Sequence, residues 1–224
     1  MKIELCIFNL DGVIVDTARF HYLAWKELAN KFDFELSPSL YEKIKGLGRI
    51  ETLKQIMAWA NIRKEEKEIE SIAKLKNDHY VQLIQMLHPS EIRPGVKSFL
   101  SELKKLNIKT ALGSASKNTT TVLSKLELLQ QYDTIVDGDQ IAHCVPDPEI
   151  YLRCAQNLKI APSNTVVFED AVNGIIAAKS GGFYAIGIGK PGMLSIADAV
   201  IPNFRGFNFK EMLNLLKFNL ATTN

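Results

Sequence analysis

The sequence is poor in cysteine and has no long uninterrupted apolar segment. Its 224 residues contain three cysteines, Cys6, Cys144 and Cys154, which are scattered and lack the spacing of a metal site. An odd number of cysteines without regular spacing is most simply explained by a reducing compartment, in which disulfides do not form. No segment reaches the roughly 18 apolar residues that a membrane-spanning helix needs. The first residues lack the basic stretch and cleavage pattern of a signal peptide. We therefore expect a cytoplasmic protein without a membrane partner.

The sequence also lacks an excess of either charge. It has 27 basic and 25 acidic residues, so it shows no basic footprint for nucleic acid, and we expect no such partner. The hydrophobic content of 46% is sufficient for a large core. The length allows one domain with an inserted segment.

Short apolar segments that end in turn residues alternate with amphipathic segments. The predicted strands are residues 3–8, 109–112, 134–136, 165–168 and 184–188. Helical periodicity is present in "VKSFLSELKKLN", "PEIYLRCAQNL" and "AVNGIIAAKSG". Strands that alternate with helices indicate crossover connections and a parallel sheet. The strands are apolar throughout, which is typical of strands covered on both faces. The sequence therefore predicts an α/β fold with a doubly wound, Rossmann-like parallel sheet.

One long region interrupts this alternation. Between the first two predicted strands all signals are helical, and Pro89 and Pro94 mark the return to the sheet. We therefore predict a core domain of residues 1–15 and 92–224, with an inserted α-helical subdomain at residues 16–91. The charged segment 63–70 is interpreted as a solvated helix surface.

Polar residues follow the predicted strands at the edge where open parallel sheets bind ligands. Asn9 and Asp11 follow the first strand and, two residues apart in an extended segment, share one face. Glu169 and Asp170 end another strand, and with Asp11 they offer the oxygen ligands that Mg²⁺ prefers. Ser114 begins a strand-to-helix turn whose backbone N–H groups can hold a phosphate. Each feature alone is commonly a turn or a helix cap, but their joint occurrence at strand ends favours a functional site.

Six segments together resemble the haloacid dehalogenase-type phosphotransferases. The four strand-end motifs of that family are matched by "FNLDGVIVDT", "LGSASKN", "VPDPEIY" and "FEDAVNGIIAAKSGG". The segments "HYLAWKEL" and "KGLGR" resemble sugar-specific signatures of its β-phosphoglucomutase branch, and the helical insert resembles the family's cap domain. The resemblance covers nearly the whole chain. It implies a monomer that acts on a small phosphorylated sugar with Mg²⁺ as cofactor.

The resemblance also assigns roles to individual positions. Asn9 occupies the position of the nucleophile, and Asp11 that of the general acid/base. The Mg²⁺ ligands it implies are Asn9, Asp11, Glu169 and Asp170. Arg49 would hold the non-reacting phosphate, which a mutase needs because its bisphosphate intermediate turns end for end. The other substrate and phosphate positions are Thr17, His21, Lys76, Ser114, Ala115, Ser116, Lys117 and Asn118.

Two positions depart from the family pattern, and both are central. An amide at Asn9 can coordinate Mg²⁺ weakly, but it is a poor nucleophile toward phosphorus and nothing in the sequence activates it. Val145 replaces the motif-three lysine, a cation that stabilises the transferring phosphoryl group. No other lysine or arginine lies between Tyr132 and Tyr151, so Lys117 is the nearest candidate substitute, and His143 is interpreted as a surface loop residue.

The two departures offset each other in charge, so binding can survive the loss of covalent chemistry. Three explanations stay open: a naturally degenerate family member, an engineered inactive variant, and an active enzyme with a rewired site. Correspondingly, the sequence allows three functions. These are an impaired β-phosphoglucomutase-like phosphotransferase, a non-catalytic sugar-phosphate-binding protein, and a phosphatase acting on another small phosphorylated metabolite.

Overall fold

A sheet of six parallel strands forms the centre of the described part of the protein. The computed structural model describes the backbone of residues 2–222 and the side chains of residues 2–217. The strands are β1 Leu5–Phe8, β2 Lys109–Gly113, β3 Thr134–Val136, β4 Thr165–Glu169, β5 Tyr184–Ile188 and β6 Ala199–Ile201. Their spatial order is β3-β2-β1-β4-β5-β6. The strand order reverses between β1 and β4, which is where ligands bind in open α/β sheets.

Helices cover both faces of this sheet. In residues 2–222 they are α1 Ala18–Asn30, α2 Pro38–Ile44, α3 Arg49–Trp59, α4 Glu66–Leu83, α5 Val96–Lys105, α6 Thr119–Lys125, α7 Glu149–Leu158, α8 Val172–Ser180 and α9 Phe209–Thr222. Leu5 and Ile7 of β1 face a cluster that contains residues of α7 and α8. Cys6 and Phe8 face the opposite cluster, which contains residues of α5 and α9. Alternate residues of a strand point to opposite faces, so a central strand covered on both sides is apolar throughout. The predicted fold class is confirmed.

Helices α1 to α4 lie between β1 and β2 and have an apolar cluster of their own. Trp25, Leu53 and Ile56 belong to this cluster and are buried. The two chain segments that connect it to the sheet run side by side, with a bridge between Val15 and Ile92. The division into a core at 1–15 and 92–224 and an inserted subdomain at 16–91 stays a prediction. Of these ranges, residues 1, 223 and 224 lie outside the described part of the chain.

Five strands were predicted from the sequence and are present, whereas β6 was not predicted. β6 has three residues, too few to form a recognisable apolar segment. The helix expected after the Ser114 turn is present as α6, but its bounds were not predicted, because it begins with three threonines, whose branched side chains disfavour helix. Among the described helices, none combines the length and apolar character needed to cross a bilayer.

Candidate active site

A cavity of about 310 Å³ lies between the helical insert and the carboxyl ends of β1, β2 and β4. That volume is at the lower end of the range for small-molecule sites. Nearly all residues that the sequence singled out line it: Asn9, Asp11, His21, Arg49, Lys76, Ser114, Ala115, Ser116, Lys117, Asn118, Val145, Glu169 and Asp170. Thr17 is the exception, because it is fully buried and does not line the cavity. The fold therefore brings these predicted positions to one place.

The Asn9 side chain is engaged within its own loop. Its Oδ1 accepts a hydrogen bond of 2.8 Å from the Leu10 backbone N–H, and its Nδ2 donates one of 3.2 Å to the Asp11 carbonyl oxygen. The backbone N–H of Asn9 donates to the Phe168 carbonyl oxygen, which ties the loop to β4. A carboxylate at position 9 could not donate to the Asp11 carbonyl. The amide therefore stabilises this loop in a way that an aspartate would not.

Asp11 is a partly buried carboxyl group with an incomplete set of partners. Its Oδ1 is inaccessible and accepts no hydrogen bond from the described residues, and its Oδ2 lies 3.8 Å from Nε2 of His21. Burial raises the pKa of Asp11 to about 7, with the nearby Asp170 charge acting in the same direction. A carboxyl group that titrates near neutral pH can both accept and donate a proton at physiological pH.

Glu169 is held firmly, and its neighbour Asp170 faces a lysine from the insert. Oε1 of Glu169 accepts a hydrogen bond of 2.9 Å from the Tyr151 hydroxyl, and Oε2 accepts from the backbone N–H groups of Asp170 and Ala171 at 2.7 and 2.8 Å. Burial raises the pKa of Glu169 to about 8, and the Asp170 charge adds to this effect. Asp170 Oδ2 accepts a hydrogen bond from the Lys45 ammonium.

The residues at this edge fit a hard divalent cation. Asp11, Glu169 and Asp170 are three acids with raised pKa values, so the site carries unbalanced negative charge when they are ionised. The orphaned Oδ1 of Asp11 and the all-oxygen donor set are suited to a cation of the Mg²⁺ type. Asn9 contributes a neutral oxygen, and we expect weaker binding than an all-carboxylate set would give.

These raised pKa values predict how stability depends on pH in the metal-free protein. Asp11 and Glu169 have ordinary pKa values of 3.8 and 4.5 and folded-state values of about 7 and about 8. Between those limits the folded state binds more protons than the unfolded state, so stability falls as the pH rises from about 4 to about 8. We expect urea midpoints to decrease across this window and Mg²⁺ to reduce the decrease. Midpoints that rise with pH in the absence of Mg²⁺ would contradict the assignment.

The loop after β2 carries the positions predicted to bind phosphate. Ser114 is buried, and its Oγ accepts a hydrogen bond of 3.3 Å from the Ser116 backbone N–H. Nδ2 of Asn118 donates a bond of 2.8 Å to Oδ1 of Asn77 on α4, which joins this loop to the insert. Lys117, in contrast, forms an ion pair of 2.6 Å with Asp139, and both side chains are more than half exposed. The geometry therefore argues against Lys117 as the substitute for the missing motif-three lysine.

The insert contributes a second group of polar residues. Lys76 is buried, and its Nζ lies 2.8 Å from Nδ1 of His21 and 4.5 Å from the Trp25 ring centroid. Burial lowers the pKa of Lys76 to about 7, and the Arg49 charge acts in the same direction. Arg49 is the first residue of α3, and its guanidinium makes no hydrogen bond or ion pair with the residues that the structure describes. It is free to meet a ligand.

Val145 is buried in an apolar cluster, and the loop around it supplies no cation. His143 Nδ1 lies 3.2 Å from Oε2 of Glu149 on an exposed surface, as expected for a loop residue. Lys45 and Tyr151, which contact Asp170 and Glu169 respectively, were not identified from the sequence. Lys45 lies in the quoted segment "KGLGR", but its acidic partner is 125 residues away along the chain, and no local pattern could reveal it.

The chain is similar over most of its length to proteins of one family. A family model for haloacid dehalogenase-like hydrolases matches residues 3–182. A β-phosphoglucomutase of Bacillus subtilis (strain 168) is 38% identical over 197 residues, which cover 87% of each chain. A phosphorylated carbohydrates phosphatase of Thermotoga maritima is 31% identical over 185 residues, covering 82% of this chain and 83% of that protein. The crystal structure of a Clostridium difficile β-phosphoglucomutase has a TM-score of 0.93 at 36% identity, covering 98% of this chain and 99% of that one.

Proposed function

Because this chain belongs to the haloacid dehalogenase-like hydrolase family, we propose that it is a β-phosphoglucomutase-like sugar-phosphate protein whose phosphoryl-transfer step is impaired. In this proposal the cleft recognises β-glucose 1-phosphate and glucose 6-phosphate, and the bisphosphate that links them. The observation that carries the proposal is the state of Asn9, whose amide is hydrogen-bonded on both sides within its loop. Covalent transfer requires an activated nucleophile, and this group is not one.

The recognition groups support retained binding. Arg49 lines the cavity, makes no hydrogen bond or ion pair with the described residues, and offers a bidentate donor to a phosphate. Asp11, which titrates near neutral pH, is suited to hold or move the proton of a sugar hydroxyl. Nζ of Lys76 lies 2.8 Å from Nδ1 of His21, and a hydrogen bond donated there would place the proton of the neutral imidazole on Nε2. Nε2 lies 3.8 Å from Oδ2 of Asp11, so the insert brings a polar group close to this carboxyl group.

In this proposal a divalent cation would contribute charge neutralisation. Asn9, Asp11, Glu169 and Asp170 would hold Mg²⁺, which when bound would neutralise charge on phosphate oxygens. Tyr151 and two backbone N–H groups fix the Glu169 carboxylate, so this ligand is oriented in advance. Proton transfer and hydrogen bonding to the substrate would be carried out by the protein's own side chains.

Binding is tested by calorimetric titration with glucose 6-phosphate. We expect saturable binding that Arg49→Ala weakens about tenfold or more, because a hydrogen-bonded charge contact contributes about 1.5–3 kcal/mol. Ser114→Ala should also weaken binding, since it removes a hydroxyl from the loop after β2. Arg63→Ala is the matched control, because Arg63 is an exposed arginine of the same insert. An absence of heat with every hexose phosphate would refute the binding proposal.

A phosphatase is the second candidate, favoured by the similarity to the carbohydrate phosphatase and by the near-neutral pKa of Asp11. In that case Asp11 would act as base toward water, without a covalent intermediate at position 9. A panel of phosphorylated metabolites, assayed for released phosphate, separates the two candidates. Phosphate release that depends on Asp11, with no exchange between the two glucose phosphates, would favour the phosphatase.

A further inference from the structure

Tyr41 is a tyrosine of the insert whose hydroxyl is unused. It lies on α2, is 9% exposed, and lines the cavity together with Asp11 and Asp170. Its hydroxyl makes no hydrogen bond with the residues that the structure describes. It is also not among the unpartnered polar atoms that are inaccessible, such as the hydroxyl of Tyr80. A nearly buried side chain therefore presents an accessible hydrogen-bond donor to the cavity.

The protein has six tyrosines, all of them within the described part of the chain, and the other five differ from Tyr41. Two of them donate to partners inside the protein, two have inaccessible hydroxyls, and one does not line the cavity; these are, in that order, Tyr22 and Tyr151, Tyr80 and Tyr132, and Tyr184. A buried hydroxyl normally has a hydrogen-bond partner, so an unpartnered one at a cavity wall points to a partner that enters from the cavity.

Packing of the insert holds the Tyr41 ring in place. The ring belongs to the apolar cluster of the insert, and its centroid lies 5.3 Å from that of the Tyr22 ring at an interplanar angle of 50°. Ile44, the other buried residue of α2, belongs to the same cluster, so rotation of this helix would expose both side chains. The position of the hydroxyl is thus fixed by burial of the ring and needs no hydrogen bond within the protein.

The charges around the Tyr41 hydroxyl keep it protonated. Burial raises the pKa of the phenol, and the carboxylates of Asp11 and Asp170 act in the same direction, followed by those of Glu42 and Asp16. The phenol is therefore a hydrogen-bond donor at neutral and moderately alkaline pH. Because it is neutral, it can hold an anion without changing the net charge of the cleft.

We propose that Tyr41 is a ligand-binding residue whose hydroxyl donates a hydrogen bond to a phosphate oxygen, at the end of the cavity that Asp11 and Asp170 mark. A phosphate oxygen suits this donor, because a hydrogen bond to an ionised acceptor is stronger than one between neutral groups. The inference rests on the proposed function in one respect, namely that the phosphate of the ligand enters this end of the cavity.

The test is calorimetric titration with inorganic phosphate in the presence of Mg²⁺. Tyr41→Phe keeps the ring and removes only an unpartnered hydroxyl, so the melting temperature should not fall. Phosphate affinity should weaken roughly ten- to a hundredfold, as expected for a lost hydrogen bond to a charged group. Tyr22→Phe is the matched control, because its hydroxyl bonds to the Leu36 carbonyl oxygen and lies outside the cavity. It should lower the melting temperature and leave phosphate affinity unchanged.

A tyrosine absorption difference spectrum reports the contact directly. Phosphate should perturb the phenol absorption of the unsubstituted chain and of Tyr22→Phe, and Tyr41→Phe should lack that perturbation. Unchanged phosphate affinity in Tyr41→Phe would overturn the inference, and so would a loss confined to glucose 6-phosphate, because the hydroxyl would then contact the sugar.

The same titrations separate this inference from the proposed function. If the chain binds phosphate through Tyr41 but binds no hexose phosphate, the proposed function fails and the inference stands. If it binds glucose 6-phosphate equally well with and without the Tyr41 hydroxyl, the inference fails and the proposed function stands. No binding of inorganic phosphate to the unsubstituted chain would overturn the inference whatever the result with sugar phosphates.

Discussion

Replacing Asn9 with aspartate is expected to raise phosphoryl transfer about a thousandfold or more above the unsubstituted chain. The substitution restores a carboxylate nucleophile and removes the Nδ2 donor that now bonds to the Asp11 carbonyl oxygen. The measurement is conversion of β-glucose 1-phosphate to glucose 6-phosphate with Mg²⁺ and added bisphosphate. Intact mass should show one phosphoryl group on the Asn9→Asp variant and none on the unsubstituted protein.

The matched control is Asn9→Ala, which has neither an amide nor a carboxylate and should show no transfer above buffer. Adding Val145→Lys to Asn9→Asp should raise the rate further, because it restores the motif-three cation that stabilises the transferring phosphoryl group. Activity that appears only in the double variant would show that the cation at position 145 is required for transfer and would leave the nucleophile assignment intact. Inactivity of both variants, with phosphate binding preserved, would contradict the assignment of position 9.

The strands and helices that the sequence predicted share one physical property: their apolar pattern is complete within the element. β1 is buried at all four positions, and α5 has its apolar residues on one face, so each element can be identified locally. β6 and α6 depend on their surroundings instead. The three residues of β6 pair with β5, and the threonines that begin α6 form a helix against their own propensity. Tertiary contacts fixed these two elements.

The residues of the candidate site also fall into two groups, those that were identified from the sequence and those that were identified only from the structure. Asn9 and Val145 were identified from the sequence because each falls at a defined place in a motif beside a strand. Lys45 was missed because its contact with Asp170 joins the insert to the core, and such pairs leave no sequence pattern. Tyr151 was missed for a similar reason, since its hydroxyl meets Glu169 across two elements of the core. Sequence motifs therefore predicted which residues meet in the cleft. The residues that contact them and shift their pKa values could be identified only from the structure.

The charges of the cleft can now be compared with the pattern implied by the family resemblance. Asn9 removes one negative charge and Val145 removes one positive charge from that pattern. The two departures together therefore leave the net charge of the site unchanged, so a phosphate can still be held although no nucleophile is present to take it up. Asn9→Asp alone would add one negative charge next to the phosphate while it restores the nucleophile. Binding and catalysis should therefore respond in opposite directions to this change at position 9.

Gly12→Ala is expected to have the largest effect on both stability and ligand binding among single methyl additions near the cleft. Gly12 has a φ of +74°, a left-handed conformation that costs an alanine roughly 1–2 kcal/mol. A Cβ at this position would also lie 1.7 Å from Oδ2 of Asp170, so the carboxylate would have to move away from Lys45. Overpacking of this kind costs about 1–3 kcal/mol more.

Gly206→Ala separates the two contributions to that loss. Gly206 has the same φ of +74°, and a Cβ there would meet nothing within 4 Å. Urea unfolding should therefore show a loss of roughly 1–2 kcal/mol for Gly206→Ala and about 3 kcal/mol or more for Gly12→Ala. Phosphate binding should weaken only in Gly12→Ala, because only there does the added methyl group displace Asp170. Equal losses of stability with unchanged phosphate binding in both variants would mean that the close approach of Gly12 and Asp170 does not shape the site.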